Sequence, residues 1–158
     1  MRKTFATELH GHMQTNDKII VLVADLGYGM FDQIKNDFPT RFFNVGASEQ
    51  SMLDIGIGIA LEHKIPVLYS ITPFLLYRAF ESIRTYINHE IIPVIMVGSG
   101  RDKDYLHDGI SHWSEDDEDI MKNLKNIQRF YPSGKDKIKD LLKDILASKY
   151  PVYLNLKR

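Results

Sequence analysis

The segment Arg41-Phe42-Phe43-Asn44-Val45-Gly46-Ala47-Ser48-Glu49-Gln50-Ser51-Met52 runs from a short apolar strand, through a glycine, into a probable helix that starts on one acid. A strand feeding directly into a helix is the repeating unit of an open parallel sheet. The same unit recurs on both sides of it. Strand-like runs fall at Ile19–Ala24, Arg41–Val45, Pro66–Ile71, Pro93–Val97 and Pro151–Leu156, with a weaker one at Ile127–Tyr131. Most are continuously apolar rather than alternating, as strands buried on both faces require. Three open on proline, where a missing N–H donor matters least.

Helical stretches lie between them. Residues 4–14 and 31–37 are short and amphipathic, 48–63 is apolar, 74–90 is long and aromatic, and 135–148 carries Ile138, Leu141, Leu142, Ile145 and Leu146 at surface-helix spacing. Gly56 and Gly58 cost helix propensity within 48–63, so both are expected to pack closely against another element. Ser114-Glu115-Asp116-Asp117 reads as a capping box opening a further helix. The prediction is an α/β fold: one three-layer domain over residues 1–158, with a mostly parallel sheet of roughly six strands and helices on both faces.

Composition narrows the function. A chain of 158 residues with 44 % apolar and 26 % charged residues can bury a full core. The net charge of -1 gives no general electrostatic case for nucleic acid or an anionic membrane. Without cysteine there are no disulfides, thiolate metal sites or cysteine nucleophiles. The start, Met1-Arg2-Lys3-Thr4-Phe5, has no apolar run behind it and does not read as a signal peptide, and no apolar stretch reaches membrane-spanning length. A cytoplasmic protein is expected.

Ligands in open parallel sheets bind beyond the carboxyl ends of strands. Asp25 stands there in Ala24-Asp25-Leu26-Gly27-Tyr28-Gly29, where it either caps the turn or faces a ligand. The third glycine of a dinucleotide fingerprint is missing, and no phosphate loop of the Gly-Lys-Ser/Thr kind exists. Glu49 is either a helix-dipole partner or an acid prepared for proton transfer by the poorly solvating Gly46, Ala47, Met52 and Ile55. Phe74, Tyr77 and Phe80 recur every three residues, as a core stripe or as a platform for a flat heterocycle. His107, Asp108, His112 and Glu115 fit no standard zinc spacing. They form a solvated loop or a substrate loop, to which Arg101 and Lys103 could add phosphate contacts.

In this order, the motifs resemble the pyrimidine-binding domain of transketolase-like thiamine-diphosphate enzymes over nearly the whole chain. The family pattern Ala-Asp-Leu appears as Ala24-Asp25-Leu26, and Phe-Asn-Val/Met-Gly-Ile-x-Glu-Gln-x-Met as Phe43-Asn44-Val45-Gly46-Ala47-Ser48-Glu49-Gln50-Ser51-Met52. An aromatic helix with a downstream Ile-Arg is matched by Phe74–Arg84, and Asp-Gly-Pro/Ala-Thr-His by Asp108-Gly109-Ile110-Ser111-His112. The resemblance implies that Glu49 hydrogen-bonds the pyrimidine ring nitrogen and favours the imino tautomer, which takes the thiazolium proton. It implies that Phe74, Tyr77 and Phe80 pack on the pyrimidine, that Asp25 and Leu26 lie at the cofactor interface, and that Asp108 and His112 bind sugar hydroxyls. Ile110, Ser111 and Trp113 depart from the usual residues, and Gly100 stands where a further substrate histidine is common.

A larger departure is the lack of a Gly-Asp-Gly motif, since the only Asp-Gly is Asp108-Gly109. The chain therefore reads as having neither the diphosphate/magnesium domain nor the C-terminal domain. The resemblance then implies a split enzyme. Thiamine diphosphate would be shared with a diphosphate-binding transketolase subunit, Mg2+ held by that partner, and a homodimer core set within a heterotetramer. The expected activity is transfer of a two-carbon ketol unit between sugar phosphates or related sugars, with the chain inactive alone. The alternatives are a subunit of a decarboxylase or synthase acting on a keto-acid, and a non-catalytic scaffold or regulatory domain.

Overall fold

A computed structural model describes residues 1–158. Six strands, β1 (Ile19–Val23), β2 (Phe42–Asn44), β3 (Ile65–Ile71), β4 (Ile95–Ser99), β5 (Gln128–Phe130) and β6 (Val152–Leu156), form one sheet in the order β2-β1-β3-β4-β6-β5. Every neighbouring pair is parallel. All six expected strands are present, with shifted edges. Pro66 is the second residue of β3, and Pro93 and Pro151 precede their strands.

The pleat divides the core into two layers. Val21, Val23, Val67, Tyr69, Ile95, Val97 and Val152 face one side, where α1 (Arg2–Thr15), α2 (Asp32–Asp37) and α7 (Ile138–Ala147) cover them. Leu22, Leu68, Met96 and Tyr153 face the other, under α3 (Glu49–Leu61), α4 (Thr72–Arg78), the π-helix Ile83–His89 and α6 (Asp117–Lys122). Alternate residues of each strand thus serve opposite layers, which is why the strands read as unbroken apolar runs. No helix is long and apolar enough to cross a membrane.

Three local expectations change. The aromatic stretch 74–90 is not one helix. It leaves α-geometry at Ala79 (φ -115°, ψ 19°), makes the short turn α5 (Phe80–Ser82) and continues as the π-helix, which buries Ile83 and Ile87 completely. The capping box does not form. Ser114 Oγ donates to the Gly100 carbonyl (3.1 Å), and α6 opens three residues later without a side-chain cap. The Ser114 side chain turns toward this buried carbonyl and not toward the helix end, so no helix N–H donates to it. Finally, only one of the two helix glycines is sterically required. A Cβ on Gly56 would lie 2.8 Å from Leu68 Cδ1, whereas one on Gly58 would meet nothing within 4 Å.

Asp117, 2 % exposed, ties α6 to the sheet. Its Oδ2 accepts from Tyr153 Oη and from Asn155 Nδ2, both at 2.6 Å. Burial raises the Asp117 carboxyl above its ordinary value, and these two hydrogen bonds oppose that shift. Around the same cluster, the Gly100 carbonyl accepts from Thr72 Oγ1 (2.7 Å), Ser114 Oγ and Asn155 Nδ2 (3.4 Å). One backbone oxygen thereby joins β4, α4, the following loop and β6.

Two stability measurements check this packing. Gly58→Ala should stabilise by about 0.5–1 kcal/mol through backbone entropy. Gly56→Ala should destabilise by about 1–3 kcal/mol through overpacking. Urea midpoints separate the two signs. For Asp117 the folded-state value lies above the unfolded one, so the folded state binds more protons within that window and stability falls as pH rises through it. Asp117→Asn removes this component. Its thermal midpoint should decline less than that of the wild type from about pH 4 to pH 7, near and above the ordinary carboxylate range.

Candidate active site at the carboxyl edge of the sheet

Because all strands run the same way, the turns after β1, β2, β3, β4 and β5, and the residues after β6, emerge on one edge. The winding reverses between β1 and β3, since β2 lies on one side of β1 and β3 on the other. Such a reversal opens a crevice at the strand ends.

Glu49 begins α3 just past this edge. Gly46 (φ 76°) makes the sharp reversal from β2 that brings it there. The carboxylate is 2 % exposed, and each oxygen has its own partner. Oε1 accepts from Ser70 Oγ at 3.0 Å, and Oε2 from Arg78 Nη1 at 2.7 Å. The surroundings are therefore not the purely apolar ones expected from the sequence, and Ile55 faces solvent at 45 % exposure. A buried carboxylate needs such pairing, because an unpaired one is strongly disfavoured. The two hydrogen bonds use about half of its acceptor capacity, since an ionised carboxylate offers roughly four lone-pair positions.

The aromatic residues are not a core stripe. Phe74 is half-buried, Tyr77 is 40 % exposed and Phe80 is 37 % exposed. The Arg78 guanidinium lies 3.9 Å from the Phe74 ring centroid, and the His112 ring meets Phe74 edge-on at 4.8 Å. Tyr77 donates its hydroxyl to Asp116, and burial followed by that bond raises its pKa. Glu49, Arg78, Phe74 and His112 thus form one continuous set, while Phe80 lies beyond the break at Ala79 and makes no ring or ion contact with them.

Asp25 sits after β1 at φ 50°. Its backbone N–H donates to Asn44 Oδ1 (2.9 Å), and its carboxylate accepts from Tyr28 Oη and Asn44 Nδ2. The Tyr28 hydroxyl, then the Asn44 amide, holds the carboxyl below its ordinary value. The turn-bracing reading of Asp25 is the one these bonds show. It braces the turn, and with Leu26 it also lines a cavity of about 700 Å³ over the ends of β1 and β3.

The other walls of that cavity went unassigned in the sequence. They include Arg2, Tyr105 and Arg158. Arg2 Nη1 donates to Tyr105 Oη (3.1 Å), and the Arg158 guanidinium lies 5.0 Å from the Tyr105 ring centroid. Arg2 and Arg158 are 156 positions apart, and the fold brings both to the same cavity wall beside Tyr105. No local signal could have found the pair. Arg78 and Ser70 were visible as residue types, but the contacts to Glu49 span 29 and 21 positions.

The loop expected from the sequence to meet substrate is partly assembled. Asp108 is exposed with no side-chain partner in the chain, and His112 is oriented by Phe74 and by Ser111 Oγ at 2.9 Å from its Nδ1. Arg101 is not brought to the loop. Its guanidinium turns inward, donating to Asn155 Oδ1 (3.3 Å), the Asn155 carbonyl (2.7 Å) and the Pro132 carbonyl (3.3 Å). Those bonds tie the end of β4 to β6 and leave few guanidinium donors for a phosphate. No group of three or more His, Asp or Glu side chains is placed to hold a metal ion.

Comparison with known proteins agrees with this geometry. The family model described as transketolase, pyrimidine binding domain, matches residues 1–158. The chain is 31 % identical over its full length to a putative transketolase C-terminal section of Methanocaldococcus jannaschii, covering 50 % of that protein. It is 29 % identical, again over its full length, to the 6-deoxy-6-sulfo-D-fructose transketolase subunit SqwH of a Clostridium species, covering 49 % of it. Among solved structures, a split gene transketolase described as an inactive beta4 tetramer superposes with a TM-score of 0.88 at 31 % identity, over 99 % of this chain and 50 % of that one. The chain spans about half the length of the curated relatives it matches. It belongs to the transketolase pyrimidine-binding domain family.

Proposed function

We propose that the chain is the pyrimidine-binding part of a split, thiamine-diphosphate-dependent transketolase-like enzyme. It transfers a two-carbon ketol unit between sugar phosphates or related sugars and works only with a diphosphate-binding partner. The observation that carries this reading is Glu49, a carboxylate buried to 2 % exposure whose acceptor capacity is half used, beside aromatic faces that the chain leaves partly uncovered. These residues fit a flat heterocycle with a basic ring nitrogen. Glu49 would hold or share a proton at that nitrogen, while Phe74, Tyr77 and Phe80 pack against the ring. When bound, thiamine diphosphate supplies the carbon nucleophile that carries the two-carbon unit.

The substrate side follows from the same edge. Asp108 and His112 are proposed to bind sugar hydroxyls, with His112 oriented by Phe74 and Ser111. Asp25 and Leu26 are proposed to border the cofactor. The cavity they share with Arg2 and Arg158 offers two guanidinium groups to the anionic end of the sugar. Arg101 is less suited to that role than the sequence suggested, because its donors are engaged within the chain. Magnesium and the diphosphate are assigned to the partner, and the working assembly to a heterotetramer built on a homodimer of this chain.

Mixing the chain with its diphosphate-binding partner, magnesium and thiamine diphosphate tests the assignment. Carboligation from a ketose donor is expected, and a preference for keto-acids would favour the synthase reading instead. Glu49→Ala should lower kcat by about 10²-fold or more, the usual worth of a positioned acid–base group; undiminished turnover would remove Glu49 from the mechanism. Arg2→Ala and Arg158→Ala should each raise KM for a phosphorylated sugar about tenfold or more, as expected from losing a charged hydrogen bond. They should change KM for the unphosphorylated sugar much less.

A further inference from the structure

We infer that Arg78 is a positioning residue for Glu49, fixing the carboxylate through the N–H edge of its guanidinium and the aromatic platform through its face. This rests on the role proposed for Glu49 and adds the group that makes it geometrically reliable. Glu49 opens α3 and Arg78 ends α4, so the contact adds a polar tie between two helices that also share one apolar layer.

An ordinary surface ion pair contributes little, because both side chains must be ordered and water screens them. This pair differs in two respects. One partner is buried, with the Glu49 side chain 2 % exposed and that of Arg78 48 % exposed. The Arg78 side chain is also held twice, by Glu49 Oε2 at 2.7 Å and by the Phe74 ring at 3.9 Å. A guanidinium stacked on a ring loses less freedom in also donating a hydrogen bond, because its planar fork is already oriented.

The consequence for Glu49 is directional. Ser70 holds Oε1 and Arg78 holds Oε2, so the carboxylate cannot rotate about its terminal bond without breaking one of them. Its remaining lone pairs are then fixed in space. An acid that must meet a single ring nitrogen gains from this, since small displacements of a proton-transfer group cost rate heavily. The opposite side of the arrangement reaches the substrate loop, because His112 packs edge-on against the same Phe74 ring. Arg78 therefore sets Glu49 and Phe74 in one frame, and Phe74 passes that frame to His112. Lysine could supply the charge but neither the fork nor the stack.

The test compares Arg78→Gln, Arg78→Lys and Glu49→Ala in the two-chain enzyme. The readouts are the thermal midpoint, the Kd for thiamine diphosphate, and the near-ultraviolet circular-dichroism band of the bound aminopyrimidine tautomer. Arg78→Gln should weaken the cofactor Kd about tenfold, as expected from losing a charge-assisted hydrogen bond, diminish the tautomer band, and lower kcat more than it changes KM for the sugar. Arg78→Lys should recover the Kd in part but not the band. If Arg78→Gln keeps both the Kd within twofold and the band, while Glu49→Ala loses them, the positioning role is wrong and the role of Glu49 stands. If Glu49→Ala keeps both, the proposed function itself fails, and this inference with it. Should Arg78→Gln not assemble, Arg78→Lys decides alone, and a full band in that variant overturns the inference.

Discussion

Six strands running in one direction leave the chain no choice about where its turns emerge. Each strand must return through a helix, and every strand-to-helix turn opens on the same edge. Residues scattered from Arg2 to Arg158 share a rim for that reason alone. The two apolar layers fix the register. Sliding a strand by one residue would turn Val21 and Val23 toward α3 and Leu22 toward α1, exchanging the packing of both cores at once. The precision of the rim is thus inherited from the interior, not from the turns themselves.

Polar burial then refines what the sheet positions. Two groups of buried hydrogen bonds do this, one around Glu49 and one around Asp117 and the Gly100 carbonyl. Both link elements that are distant in sequence, and both are specific in a way apolar contacts are not, because a misplaced partner leaves a buried polar atom without a bond. Two atoms remain in that condition within the chain: the Trp113 indole nitrogen, next to His112, and the Tyr131 hydroxyl, beside Tyr153. Burial, followed by the nearby charge of Asp117, raises the Tyr131 hydroxyl pKa, so this group stays neutral beside the acid.

The architecture was legible because strand burial on both faces writes itself as continuous apolar runs, and the six runs all became strands. The site was legible only where one segment carries its own meaning, as Glu49 does at the start of α3. Three kinds of information were not local. The break at Ala79 arises within a segment that reads as one helix. Ser114 has a capping residue's chemistry, but a buried carbonyl from another element claims its hydroxyl. Arg101 looked free to bind an anion, yet Asn155 of β6 occupies it with a carbonyl and a side-chain amide oxygen, and Pro132 with a second carbonyl. In the last two cases a distant partner overrides a sound local preference, and a single sequence does not record distances.

The pinning of the loop after β4 has a consequence for how the protein can change. Its entry is held at Gly100, its exit at Ser114, and an antiparallel bridge between Asp102 and Ser114 closes the base. The residues inside this closure, including Leu106, His107, Asp108 and Ile110, are exposed and owe little to the core. Tyr105 and His112 anchor the segment from within, through Ser99 and Phe74, and leave the residues between them facing outward. Substitutions among these exposed residues can therefore change the rim while the sheet beneath stays intact.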